Sequence, residues 1–336
     1  MTGLSRISTL ERSVLDSSPE TAGVGLDVLV EEIAELRPLP PIAAQVLQIA
    51  EGETFSAHEL AQAISSDPAL IARVLRVANS PYYGFPRRIT TIRDAVVLLG
   101  FRQVRSTLIA TSAMRAMASY EGIDTAAFWR HSVTVGLLAD LSSRTRCVRP
   151  AEAFTAGVLH NLGRLALDHA RPADFRRARR FAEDYHVPVH VAEHRLFGFT
   201  DADVGGALAL RWGFPEDLAV AIARHADAPG TAEEATSLAG VVSRARAFAM
   251  AHGISDGVDR LESASGCASS SARASASCAT MSVMSPDDLP ATDAPDALTT
   301  TGNAMDTLDR LVAEQGGLET VLDRAAAFVE HTVSGP

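Results

Sequence analysis

The chain has 336 residues, 47% of them apolar, and a formal net charge of −11. That is enough apolar material for the core of one large domain or two modest ones, and no run approaches about 18 consecutive apolar residues, so no membrane span is expected. Three cysteines, Cys147, Cys267 and Cys278, lack CxxC spacing and are too few for a disulfide framework. The first dozen residues, with Arg6, Glu11 and Arg12 among small side chains, lack the apolar stretch of a secretory signal, which points to a cytoplasmic location.

All 30 cationic side chains are Arg. The absence of Lys excludes a phosphate loop ending Gly-Lys-Ser/Thr and any Schiff-base lysine chemistry. The charge is uneven: residues 37–227 are close to neutral, whereas residues 1–36 and 228–336 are strongly acidic. An acidic chain argues against a nucleic-acid partner. The one basic cluster, Arg171, Arg176, Arg177, Arg179 and Arg180, has the form of a solvated helix face.

In chain order, residues 1–27 read as a flexible segment. Helical signals follow. Ser56-Ala-His-Glu59 has the form of a capping box. Asp67-Pro68 pairs an N-cap with a proline at the first helical position, where its missing N–H costs nothing. Leu70, Ile71, Val74, Leu75 and Ala78 then recur at helical spacing, and Asn79-Ser-Pro81 ends the run. Thr91-Ile-Arg-Asp94 starts another helix, and Gly100 opens a second one after it. Further helices are predicted at about 125–146, 150–168, 172–186, 188–197, 200–212, 214–226 and 233–252, many with proline near the first turn. No alternating strand pattern appears, so the expected class is all-α. Composition shifts near residue 262 to Ala, Ser, Thr, Pro and Asp, too poor in large apolar groups to offset chain entropy. The expected organisation is a flexible 1–27, a domain at 28–255, a disordered linker at 256–304 and two short helices within 305–336 that pack back on the domain.

Three constellations bear chemistry. His131, His160-Asn161 and His225 lie on separate predicted helices, and imidazoles with carboxylates are the raw material of a metal site. Hydrolytic metal centres need several carboxylates. Here Asn161 is neutral, and the helix at 233–252 carries Arg244 and Arg246. Polar residues satisfied within a helical core are therefore the preferred reading, and no metal or other cofactor is expected. His190-Val-Ala-Glu193-His194 matches the inverted zinc-protease pattern. The short motif arises easily by chance, and the alternative has Glu193 pointing inward to a polar partner with both histidines near the surface. Asn79-Ser-Pro-Tyr82-Tyr83-Gly84-Phe-Pro86 forms a tight loop, in which Asn79, Tyr82, Tyr83 and Gly84 are candidates for facing a ligand or partner.

Taken together, Leu36-Arg-Pro-Leu-Pro-Pro41, Ser65-Ser-Asp-Pro-Ala-Leu70, Arg73 to Gly84, Ile92 to Gly100, Phe128-Trp-Arg-His-Ser132, Ala156 to Arg164, Phe197-Gly-Phe199, Val204-Gly205 and Trp212-Gly-Phe-Pro215 resemble the HDOD domain, the HD-related output domain of bacterial signalling proteins. The resemblance covers roughly residues 30–250. It implies an HD-like multi-helix bundle related to the HD and HD-GYP phosphohydrolases, whose metal ligands are a His, a His-Asp pair and a later Asp. Carried over residue by residue, His131 matches the first His and His160 the His of the pair. Asn161 replaces the paired Asp, Asp201 stands where many relatives carry His, His225 matches one of a later His pair, and Arg246 falls near the final Asp. The resemblance implies remnant metal-site positions with no metal, and a non-catalytic regulatory module acting through a protein partner. The alternatives are a metal-dependent phosphodiesterase or phosphohydrolase using His131, His160, Asp201 and His225, and a nucleotide or RNA sensor using Arg176, Arg177 and Arg180.

Overall fold

Asp124 caps the helix around which the fold is assembled. Its carboxylate accepts from the backbone N–H of Ala126 and Ala127, both at 3.0 Å, at the start of a helix over Thr125–Ser143. This helix is buried on nearly every side, from Phe128 and Trp129 to Ser142 and Ser143. A helix whose apolar and small residues run all round its circumference belongs in the middle of a protein. The computed structural model describes residues 25–36, 38–49, 60–61, 64–65, 68–80, 83–117, 123–144, 148–227, 236–258 and 296–333.

Within those residues the elements are α1 (Leu26–Leu36), α2 (Pro41–Ile49), α3 (Pro68–Ala78), α4 (Ile92–Leu99), α5 (Phe101–Ala116), the central α6 (Thr125–Ser143), α7 (Pro150–Leu159), α8 (Leu162–Ala170), α9 (Pro172–Tyr185), α10 (Val189–Phe197), α11 (Asp201–Arg211), α12 (Glu216–Ala223), α13 (Leu238–Ala251), α14 (Asp296–Glu314) and α15 (Leu318–Val333). Among the described residues there is no strand, and no helix long and apolar enough to cross a membrane. The all-α class is as expected.

Around α6 pack α7, α13, α14 and α15, while α8, α11 and α12 form a second group that joins it through α7 and α13. α6 and α7 cross in close contact. A Cβ added at Gly157 would lie 2.5 Å from Gly136 Cα, so the two backbones meet at a distance only glycine permits. At the other flank Phe154 of α7 and Phe328 of α15 meet edge to face at 5.6 Å. The C-terminal helices thus pack back on the domain.

Several local signals act as read. Thr91 Oγ1 accepts from Asp94 N at 3.0 Å to start α4, and Gly100 at φ 86° separates α4 from α5. The capping box at 56–59 and the cap Asp67 lie outside the described residues. Other boundaries differ. The single helix expected over 150–168 is two, because the chain turns at His160 and Asn161. α14 begins at Asp296, inside the stretch expected to be linker. Asp256, assigned by composition to the start of that linker, is 1% exposed and joined to the core. The basic face of α9 is the outer one: Phe175, Ala178 and Ala182 are buried, whereas Arg176, Arg177 and Arg180 are exposed. Arg171 is engaged, its guanidinium donating to Glu32 of α1 at 3.0 and 2.6 Å.

Candidate functional site, a buried histidine and carboxylate cluster

His131 comes from α6, His160 and Asn161 from the α7–α8 turn, Arg164 from α8, Glu193 from α10, Asp201 from the start of α11, His225 from just beyond α12 and Asp256 from just beyond α13. All are buried. The turn at His160-Asn161 is what brings this set together. It lets α8 leave α7 at an angle and run against α11. Gly163 makes the approach physically feasible, since a Cβ there would lie 1.8 Å from the Asp201 carbonyl oxygen.

The three histidines form one half of the cluster. The rings of His131 and His160 are 5.3 Å apart, and those of His160 and His225 are 5.0 Å apart. Each ring is tied to a backbone carbonyl through Nδ1: His131 to Ile254 at 2.8 Å, His160 to Gly157 at 2.6 Å and His225 to Ile222 at 2.7 Å. A carbonyl only accepts, so each Nδ1 carries the hydrogen and each Nε2 presents a lone pair. All three Nε2 atoms are buried without a hydrogen-bond partner. Burial is the main force lowering each pKa. The charges that His225 and His131 would carry when protonated, and then that of Arg246, push His160 further down, well below the ordinary value. His225 falls to about 4 through burial and then Arg246. His131 is lowered by burial, against the opposing pull of Asp256. The rings are neutral at pH 7.

The other half is organised by Arg164, which is 1% exposed. Its Nε donates to Asp201 and its Nη1 to Asp256. Asn161 Nδ2 also donates to Asp256, at 3.1 Å, and the second Asp256 oxygen accepts from Val258 N at 3.0 Å. Burial alone would raise the Asp201 pKa, but the Arg164 charge and hydrogen bond pull it down to about 2. Glu193 accepts from the Asp201 backbone N–H at 2.8 Å. Burial and then the Asp201 charge raise its pKa well above the ordinary value, which favours the neutral acid.

A metal does not fit this arrangement. Hydrolytic centres combine imidazoles with ionised carboxylates around the cation. Here the two ionised carboxylates face an internal guanidinium, Asn161 turns its amide donor toward Asp256, and the positive field of Arg246 falls on all three rings. Among the described residues no group of three or more His, Cys, Asp or Glu is arranged to hold a metal ion.

Of the residues named from sequence, His131, His160, Asn161, Asp201 and His225 meet in one cluster, and Arg246 acts on it through its charge. Sequence reasoning missed Asp256 and the bridging role of Arg164. Glu193 points inward to a polar partner while His190 is half-buried and His194 exposed, the arrangement opposite to a zinc-protease helix. The Asn79–Pro86 loop lies elsewhere. Asn79 clasps it shut, donating to Leu75 O and Ile89 O and accepting from Ile89 N, each at 2.7 Å. Tyr83 is hydrogen-bonded to Thr107 at 2.9 Å, Gly84 takes φ 60°, and Tyr82 is outside the described residues.

An all-helical bundle with His131, His160 and His225 converging at its centre is the HD-like class of protein. A family model of the HDOD domain matches residues 36–228, and the chain belongs to that family. Its structure is similar to that of an HDOD domain protein of unknown function from Geobacter sulfurreducens. The two are 22% identical with a TM-score of 0.66, and the match covers 91% of this chain and 97% of that one. It is also similar to a candidate phosphohydrolase from Shewanella amazonensis SB2B, at 26% identity and a TM-score of 0.62 over 89% and 98% of the two chains. In sequence it is 26% identical over 217 residues to a protein of Treponema pallidum (strain Nichols). That match takes in 64% of this chain but only 42% of the relative's length.

Proposed function

We propose that this protein is a non-catalytic HDOD regulatory module of bacterial signal transduction, acting through a protein partner. The observation that carries the reading is Arg164. Its guanidinium lies between Asp201 and Asp256, so the protein's own cation neutralises the carboxylates that a hydrolytic metal would need. His131, His160, Asn161, Asp201, His225 and Arg246 are on this reading the remnant positions of a metal centre, kept as hydrogen-bonding members of a core. The module on this reading is the domain at 28–255 together with Asp256, which Arg164 ties to its core.

Metal analysis of protein purified from cells supplied with Mn, Fe and Zn tests it, together with turnover assays on cyclic dinucleotides and phosphomonoesters. The expected result is metal well below one equivalent and no turnover. Stoichiometric metal, or hydrolysis abolished by His160→Ala, would instead establish the second reading, a metal-dependent phosphohydrolase. That second reading has one observation in its favour, the three inward Nε2 lone pairs.

A further inference from the structure

Residues 68–93 hold five Arg and no Asp or Glu, within a chain whose net charge is −11. The fold turns part of this stretch into a groove. One wall is a face of α3, where Ala72, Leu75, Arg76 and Asn79 recur at helical spacing. Seven steps of 1.5 Å rise make that wall about 10.5 Å long. The other wall is the segment from Phe85 to Thr90, and the last turn of α15 contributes His331. Asn79 joins the two walls, donating to Ile89 O and accepting from Ile89 N, both at 2.7 Å. The space between them is about 840 Å³. Its apolar lining comes from Leu75 and Phe85, both half-buried, and from the buried Ile89.

The charged lining is of one sign. Arg76, half-buried, and Arg88, exposed, belong to it, and no carboxylate of the described residues does. Neither guanidinium has a hydrogen bond or an ion pair among the described residues. A charge partly withdrawn from water with no partner has lost hydration and gained nothing for it, so Arg76 is set to take an incoming anion. Arg87 and Arg93, also exposed and also without an ion pair among the described residues, extend the positive field beyond the groove. The C-terminal ends of α3 and α15 oppose this with about half a negative charge each. Together they offset no more than one of the guanidinium groups.

We propose that this groove is where the module takes its partner, and that the partner presents a short acidic segment with an apolar anchor. The anchor lies on Leu75 and Phe85. Carboxylates on either side of it meet Arg76 and Arg88, whose planar guanidinium groups match a carboxylate at two points. Charge also decides against a nucleic acid. A duplex carries about one negative charge per 1.7 Å, and the acidic remainder of this chain repels so long an array. A segment with a few carboxylates is addressed by the groove alone. The proposal rests on the reading of the protein as a module that acts through a protein partner.

Fluorescence anisotropy of the full chain with the labelled, capped peptide Gly-Glu-Asp-Leu-Phe-Glu-Asp-Gly tests it, beside the same peptide with Gln for Glu and Asn for Asp. The expected result is saturable binding of the acidic peptide at low salt, with Kd on the order of 0.1 mM for a single anchor. The neutral peptide should bind at least tenfold more weakly, a comparison that needs no variant. Arg76→Gln and Arg88→Gln should each weaken the acidic peptide at least threefold, while Arg176→Gln, an exposed change on α9, leaves it unaltered. Absence of saturable binding at ten times that concentration overturns the proposal. So does equal affinity for the two peptides, or an Arg176→Gln loss as large as that of Arg76→Gln, which would make net charge the cause. Tighter binding of an oligouridylate than of the peptide would assign the groove to nucleic acid. A dimer of this chain that Arg76→Gln dissolves would assign it to a second copy. Metal content and turnover, which test the module reading itself, do not depend on these results, so failure here places the partner on another face and leaves that reading standing.

Discussion

The side-chain amide of Asn161 donates to Asp256 across 3.1 Å, although 95 residues separate them in the chain. An aspartate at 161 would replace that donor with a second acceptor and set one carboxylate against another beside Asp201. Asn161→Asp should therefore cost about 2–3 kcal/mol at pH 7, the value of a hydrogen bond to a charged group with its partner left opposed. The cost should shrink at pH 5, because one of two crowded carboxylates then takes a proton. Urea unfolding at the two pH values measures both quantities. A variant that matched the parent at pH 7, or gained stability from added Mn, would show that the cluster still accepts a cation.

Arg164 holds both carboxylates, so its removal strands two buried charges. Arg164→Met should destabilise by about 3–5 kcal/mol, the range for breaking a buried pair from one side. Replacing the charges together is different. The triple variant Arg164→Met, Asp201→Asn, Asp256→Asn should recover more than half of that loss, since no ion is left without its partner. Equal midpoints for the single and triple variants would mean that the bulk of Arg164, and not its charge, is what the core requires.

Acid should weaken the fold through the histidines. Their folded pKa values are depressed, that of His225 to about 4, against about 6.5 in an unfolded chain. Between those values the unfolded chain binds more protons, so stability rises with pH. The contribution of the depressed histidines is complete above about pH 6.5 and is lost as pH falls through the folded values, on the order of 3 kcal/mol for His225 alone. Glu193 acts in the opposite sense. Its folded pKa is raised, so its contribution is present below the unfolded value near 4.5 and is lost as pH rises through the folded one. Glu193→Gln should leave the acid limb intact and gain on the parent as pH increases. A stability difference between the two proteins that stays flat from pH 5 to pH 9 would contradict the raised pKa of Glu193.

What the sequence revealed of this site depends on how each residue announces itself. His131, His160 and His225 are rare side chains within apolar helices, and the family pattern aligned them. Glu193 was legible as an inward-pointing group from its place on α10. Arg164 was visible inside the motif, yet its role depends on carboxylates 37 and 92 residues away, a relation no local spacing encodes. Asp256 gave no signal at all. It follows the last predicted helix of the domain, in a Ser-Asp-Gly stretch of turn composition, next to residues poor in apolar side chains. The turn at His160-Asn161 was hidden for a related reason: apolar residues continue through it, because both α7 and α8 are buried. Periodicity then reads one helix where the backbone makes two.

Gly163 connects that turn to the charge network, and it supplies the sharpest test of the geometry. A methyl group there would lie 1.8 Å from Asp201 O and 2.6 Å from Gly205 N. Both are backbone atoms, so no rotamer can relieve the clash. Gly163→Ala should cost about 3 kcal/mol, at the upper end for overpacking, because α8 and α11 must separate. Gly205→Ala, whose nearest contacts, Gly163 N and Ile222 Cγ2, lie at 3.0 Å so that the neighbours need give only a few tenths of an ångström, should cost about 1 kcal/mol. Separating α8 from α11 also draws Arg164 away from Asp201. The Gly163→Ala and Arg164→Met losses should therefore overlap, and the double variant should be less destabilised than their sum by at least 1 kcal/mol. Strict additivity in that cycle would mean that the guanidinium keeps its hold on Asp201 when the helices part, and that the close approach at Gly163 serves packing alone.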